Sequence, residues 1–172
     1  MTKPETHTLV DNGIFPGNVL PVLHYKNAFK LPLIFPARII RQAFQQNNWT
    51  NNWRDGIYTF DHYHSLTHEV IGVYKGKTTL QLGGDDGLQL EIKKGDVIVI
   101  PAGVAHRNLG RETDVLCIGG YPEGKDFDMN FGKPGERPQT DQNIASLKLP
   151  DTDPVTGKSG SLVSLWKRYS EE

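Results

Sequence analysis

A single cysteine, Cys117, stands in the whole chain. One thiol excludes an internal disulfide and every zinc site built on several thiolates. Its setting, the apolar run "VLCIGG", marks a buried, inert side chain rather than a nucleophile. An excess of charge is missing too: 19 Lys and Arg face 20 Asp and Glu, for a formal net charge of -1. This balance, with no run of Lys or Arg to suggest a basic patch, gives no reason to expect nucleic acid or an anionic membrane as partner. No apolar stretch approaches the length of a membrane span. The opening "MTKPETHTLV" lacks the apolar segment that a secretion signal needs. A cytoplasmic protein is expected.

Glycine and proline, by contrast, are plentiful, at 18 and 11 residues. They suit short strands joined by turns better than helices. A length of 172 residues fits one domain with extensions, here expected as an N-terminal extension over 1–52, a barrel core over 53–121 and a wrapping C-terminal segment over 122–172. The clear helix is "PARIIRQAFQQNN", residues 36–48, where Pro36 fits the first turn and Ala37, Ile40 and Phe44 share a face. From Ile57 to Tyr121 the pattern turns to strands: "GIYTFDHYH", "EVIGVYKG", "KTTLQL", "LQLEI", "DVIVIP" and "DVLCIGGY". "KGK", "GGDDG", "KKG", "PAG" and "GRET" separate them as turns, with "GGDDG" the plainest hairpin. Evenly spaced short strands without intervening helices predict a closed antiparallel sandwich or barrel. In the tail, Leu162, Ser164 and Trp166 alternate with Val163, Leu165 and Lys167, which fits a further strand. "DTDPVTG", residues 151–157, has only a superficial likeness to a calcium loop, since Pro154 intervenes and no closing Glu follows. A solvated turn is expected there.

The chemistry concentrates in "DHYHSLTHE", residues 61–69, which holds three of the six histidines. Alternate side chains of a strand share a face, so His62 and His64 point together, with Cα atoms about 6.6–6.8 Å apart at the usual rise. Tyr58 and Phe60 share their parity and are candidates to line a pocket, with buried strand packing the leading role for both, while Asp61 and Tyr63 face away. Glu69 has the wrong parity and joins the pair only if "SLTH" bends, with Ser65 and Thr67 bonding the local backbone. Ile71 and Val73 would then share its face, and His68 would fall on the bend or the outer face. The His68–Glu69 dipeptide does not make a metalloprotease helix, because Gly72 stands where the second histidine is needed. By itself the segment is explained equally well by an exposed histidine pair. "GDVIVIPAGVAHRNLG", residues 95–110, changes the balance. A buried strand, a tight turn through Pro101 and Gly103, and then His106 supply a third imidazole aimed back across the barrel.

The two segments resemble the paired motifs of the cupin superfamily. Gly56, His62, His64, Glu69 and Gly76 fill every position of the first, and Gly95, Pro101, Gly103 and His106 match the second. The last position of the second motif, an asparagine, falls on Gly110, with Asn108 the nearest asparagine. The lead-in "NNWRDGIYTFDHYH", the segment "GGYPEGKDFD" and the closing "LPDTDPVTGKSGSLVSLW" are similar to small single-domain bacterial cupins of the YjlB type. The resemblance implies an all-β fold, a double-stranded β-helix or jelly-roll barrel, behind a short N-terminal helix. It also implies one metal ion held by His62, His64, Glu69 and His106.

Three imidazoles and a carboxylate suit divalent Fe, Mn, Ni, Co or Zn. One Glu against a divalent ion leaves a formal charge of +1, which favours a small, oxygen-rich and anionic substrate. The expected function is that of a metal-dependent enzyme of dioxygenase or isomerase/lyase type, with no catalytic acid or base identified. The alternative is a non-catalytic module that binds or senses a small molecule or metal. No helix pair for DNA binding is visible. A homodimer is expected, because the extended terminal segments can cover open sheet edges or exchange between subunits.

Overall fold

The computed structural model describes residues 3–171; residues 1, 2 and 172 of the expected domain lie outside them. In chain order the elements are β1 (Glu5–His7), β2 (Val22–Tyr25), α1 (Pro36–Gln46), β3 (Trp49–Thr50), β4 (Arg54–Asp55), β5 (Glu69–Leu82), β6 (Leu88–Lys93), β7 (Val97–Ile100), β8 (His106–Asn108), β9 (Val115–Pro122), α2 (Gln139–Ala145) and α3 (Ser161–Glu171). All strand pairs are antiparallel and curl into a jelly-roll barrel.

The architecture turns on β5. Its first half pairs with β7 and β9, and its second half with β6 and β8. The sequence "KGK", expected as a turn, therefore lies inside one continuous strand. A bulge between Val73 and Lys75 and a left-handed Gly76 (φ 81°) bend this strand from one set of partners to the other. The "GGDDG" hairpin forms as expected, closing β5 onto β6 at the Leu82–Leu88 pair. "GIYTFDHYH", by contrast, is extended chain and not a regular strand. It is anchored by isolated bridges from His62 to His106 and from Tyr63 to Asn130.

Strand β7 shows why "VIVI" is apolar throughout. Ile98 and Ile100 face the barrel interior beside Ile71, Val73 and Cys117. Val97 and Val99 face an outer layer with Ile40 and Phe44 of α1 and Leu162 and Trp166 of α3. Both faces are covered, so neither accepts polar residues. Helix α1 buries Ala37, Ile40 and Phe44, as the sequence spacing predicts.

The tail departs from expectation. Residues 161–171 form a helix, because Leu162, Leu165 and Trp166 share the buried side at helical spacing while Ser164 is exposed. Trp166 donates its indole N–H to the Pro21 carbonyl (3.0 Å), which ties this helix to the N-terminal extension. "DTDPVTG" is not a solvated turn either. Asp153 is fully buried. It accepts the Val155 and Thr156 amides at Oδ1, and the Tyr25 hydroxyl and Leu162 amide at Oδ2. Four donors in place of a cation make it a structural clasp. Among the described residues no helix is long and apolar enough to cross a membrane.

Candidate metal centre

The backbone brings His62 and His106 together first. Their amides and carbonyls exchange hydrogen bonds (3.0 and 3.3 Å), which places both side chains on one side of the bridge with ring centroids 4.2 Å apart. The Pro101–Gly103 turn that delivers His106 is pinned to the first segment by Gly103 N–H donating to the His64 carbonyl (2.8 Å). At that turn Gly103 has φ 87°, a conformation that disfavours any side chain.

Each imidazole is then oriented by its Nδ1. His62 Nδ1 lies 3.1 Å from the Phe60 carbonyl and His106 Nδ1 lies 3.1 Å from the Val104 carbonyl. His64 Nδ1 lies 2.5 Å from the Asp128 carbonyl. A carbonyl only accepts, so each Nδ1 carries the proton and each Nε2 presents a lone pair. One ligand nitrogen from each ring lies within 4.8 Å of the others. The fourth group, Glu69, enters on β5 with Oε2 3.1 Å from His64 Nε2 and 3.2 Å from His106 Nε2. All four residues are buried.

This donor set is a cluster of acceptors facing acceptors. Lone pairs that share a buried space need a cation between them. A proton on His64 serves one pair. Burial works against that charge, but the Glu69 carboxylate and Asp128 together outweigh burial and raise the His64 pKa. For Glu69, burial is likewise overcome by the two imidazoles, which hold its carboxyl well below the ordinary range. His62 goes the other way: burial and the neighbouring His106 lower it to about 3, leaving a neutral ring. A divalent ion satisfies every one of these atoms at once. Nitrogen ligands whose second N–H is held by a carbonyl are the arrangement that metal-binding histidines adopt. The residues present fit such an ion.

The bend that brings Glu69 round is held differently from expectation. Thr67 Oγ1 does bond the local backbone, donating to the His68 carbonyl (2.9 Å). Ser65 instead donates through both its amide and hydroxyl to the distant Asp128 carboxylate, which also accepts the Leu66 amide. Asp128 thus staples the bend while its carbonyl orients His64. His68 is neither in the site nor on the outside. It is buried against Trp166, with ring centroids 4.8 Å apart, and its Nδ1 accepts the Ala102 amide (3.0 Å). That bond puts its proton on Nε2, the reverse of the three site histidines. Burial lowers its pKa to about 3.

A cavity of about 260 Å³ opens onto the four residues, near the lower end of the roughly 300–1,000 Å³ usual for small-molecule sites. Tyr58 lines it, as its parity suggests. Phe60 does not. It stacks on Tyr58 (4.9 Å) and sets its ring near those of His62 (5.6 Å) and Phe131 (6.0 Å). Asn108, the near-match to the second motif, also stays out of the cavity. It braces the β8 turn by accepting from Thr78 and Gly110 and donating to the Arg111 carbonyl.

Sequence reasoning assigned no role to Tyr121, Phe127 or Trp53. Tyr121 Oη accepts the Trp53 indole N–H (3.1 Å) and donates to Glu69 Oε1 (3.3 Å). Burial and the Glu69 charge push its pKa up, so it remains a donor. Trp53 gets close enough because Gly119 has no side chain: a Cβ there would fall 1.8 Å from the indole. Phe127 stacks on Tyr121 (5.1 Å) and sets its ring against His64 (5.3 Å). The signal for Tyr121 and Phe127 lay in "GGYPEGKDFD" and that for Trp53 in "NNWRDGIYTFDHYH", stretches with family likeness in which these three have no recognisable ligand spacing.

The cupin domain family matches residues 56–118, a span that holds both histidine segments. The uncharacterized protein YjlB of Bacillus subtilis (strain 168) is 35% identical over 165 residues, 95% of this chain and 97% of its own. Among solved structures, acireductone dioxygenase from Bacillus anthracis, with a cadmium ion in its active center, aligns over 64% of this chain and 83% of its own (15% identity, TM-score 0.46). Recombinant pro-11S globulin of pumpkin aligns over 46% of this chain and 22% of its own (17% identity, TM-score 0.39). On the strength of near-full-length identity to YjlB and of the domain match across both motifs, the chain belongs to the cupin superfamily, among the small cupins of the YjlB type.

Proposed function

We propose that this cupin is a metal-dependent enzyme for a small, oxygen-rich, anionic substrate, with His62, His64, Glu69 and His106 as ligands of one divalent ion. The observation that carries the reading is the convergence of three imidazole Nε2 atoms and the Glu69 carboxylate on one buried space. When bound, Fe, Mn, Co, Ni or Zn supplies Lewis acidity, and iron also supplies oxygen chemistry. The chain's own residues do the rest. Phe60, Asp128 and Val104 hold the three rings through their carbonyls, Tyr121 steadies Glu69, and Tyr58, Tyr121 and Phe127 wall the cavity. A dioxygenase or an isomerase/lyase fits this environment.

A second reading, a non-catalytic module that binds or senses a small molecule or metal, is favoured by one feature. Glu69 is engaged with Tyr121, His64 and His106, and Tyr121 with Glu69 and Trp53, which leaves neither free to shuttle protons. Elemental analysis of the purified wild type beside a His62→Ala/His106→Ala double variant tests the site. The wild type is expected to hold stoichiometric metal and the variant less than a tenth of it; equal loading contradicts the assignment. Turnover with candidate keto acids, diols and sugar derivatives, followed by product and O₂ consumption, separates the two readings. Ligand-dependent stabilisation without product supports the module. For assembly we propose a homodimer, supported by the outer edge of β1, which among the described residues pairs with β2 alone. A monomer mass by light scattering at all concentrations contradicts it.

A further inference from the structure

A second concavity of about 700 Å³ lies between α1, its preceding loop and the bulge of β5. We propose that it binds a small polyanion, a phosphorylated or polycarboxylate molecule. Its walls carry five cationic side chains, Arg38, Arg41, Arg54, Lys75 and Lys94, and no carboxylate. For a chain with net charge -1, this one-sided gathering is out of proportion to the whole. Among the described residues none of the five makes an ion pair. Like charges drawn together without counter-charges raise the local positive potential and draw in an anion.

Three details make the concavity a receptor and not merely a basic surface. The Arg41 Nε is buried and has no hydrogen-bond partner among the described residues, so no acceptor of the chain holds this guanidinium through it. Arg54 is held in place, its Nε donating to Tyr74 Oη (2.8 Å) and its guanidinium over that ring (5.0 Å), so its remaining N–H groups are presented at little entropic cost. Helix α1 starts at this edge with no side-chain cap and no acid in its first turn, so its positive end adds to the same field. Leu33 and Phe35, 95% and 75% exposed, form an apolar lip that suits a ligand with a hydrocarbon or ring portion beside its charges. Arg54 also lines the cavity of the candidate metal centre, so a polyanion bound here touches a wall common to both.

The test is titration calorimetry of the full chain, freed of metal by chelator and dialysed, with inorganic pyrophosphate at low ionic strength. Saturable binding is expected. Arg38→Gln/Arg41→Gln and, on a separate element, Lys75→Gln/Lys94→Gln are each expected to weaken it at least tenfold. Lys133→Gln/Lys158→Gln, outside the groove, is expected to leave it unchanged, as is His62→Ala/His106→Ala. The last variant keeps this proposal separate from the metal assignment, since either can fail alone. Absence of saturable binding, equal weakening by the control, or loss in the histidine variant overturns the proposal. So does binding to phosphatidylserine vesicles, abolished by Leu33→Asp, without any for pyrophosphate, which identifies a membrane surface instead.

Discussion

Buried polar side chains occur in two settings in this molecule. Along the seam where the terminal segments pack on the barrel, acceptors face donors: Asp153 takes the Tyr25 hydroxyl and three amides, and Asp96 takes His24, Asn27 and Lys93. In the cavity, Glu69 Oε2 and the Nε2 atoms of His62, His64 and His106 crowd together, and the Tyr121 hydroxyl reaches only the other Glu69 oxygen. Within the seam both carboxylates find their donors in the chain, although His24 Nδ1 and Thr156 Oγ1 are buried without a partner among the described residues. The cavity needs something from outside. His68 shows how fine the distinction is: one residue from Glu69, its Nδ1 accepts an amide and its proton sits on the wrong nitrogen for ligation.

This contrast is open to direct attack. The largest effect is expected in the seam. Asp153→Ala strands four donors, the Tyr25 hydroxyl and Leu162 amide among them fully buried, and should lower unfolding free energy by about 3 kcal/mol in denaturant titration, with bound metal per folded chain unchanged. The cavity should respond in the opposite way. Adding a divalent ion at a hundredfold excess over its Kd should stabilise the wild type by about 2.7 kcal/mol, and chelator should remove that gain. In His106→Ala both responses should vanish. An undiminished chelator effect in that variant places the ion elsewhere.

A smaller change should follow from Tyr121→Phe, which deletes the donor to Glu69. Metal affinity should fall roughly tenfold, the lower range for a partner behind a ligand, with little change in the metal-free unfolding curve. The smallest effect is electrostatic. At Asp96 burial favours the neutral acid, but hydrogen bonds from His24, Asn27 and Lys93 outweigh it and depress the pKa. The unfolded chain therefore binds more protons in that range, so this contribution is full above about pH 4 and is lost as pH falls through the folded pKa. Asp96→Asn should be less stable at neutral pH and show a flatter loss below pH 4 by thermal melts.

How much of this was legible in the sequence depended on the distance over which each signal acts. "VIVI", the Pro101–Gly103 turn and the α1 face are local patterns, and they formed as expected. His62, His64, Glu69 and His106 were legible because the two motifs fix their spacing, although the segment carrying the first pair is not a regular strand. "KGK" misled because a bend within a strand and a turn between strands use the same residues. "SLVSLW" misled because Leu162 and Trp166 satisfy both a two-residue alternation and a helical i, i+4 spacing, and only the burial of Leu165 separates them. Tyr121 and Asp128 act across the barrel and have no local signature. The basic groove left no run of Lys or Arg to notice, because its five charges come from α1, β4, β5 and the loop after β6.

The central claim is that four side chains from two distant segments share one cation. Anomalous diffraction from crystals soaked in zinc measures this most directly. The predicted result is one strong peak at about 2.0–2.2 Å from Nε2 of His62, His64 and His106 and from a carboxylate oxygen of Glu69. A peak bonded to other residues, or an empty site at saturating zinc, contradicts it.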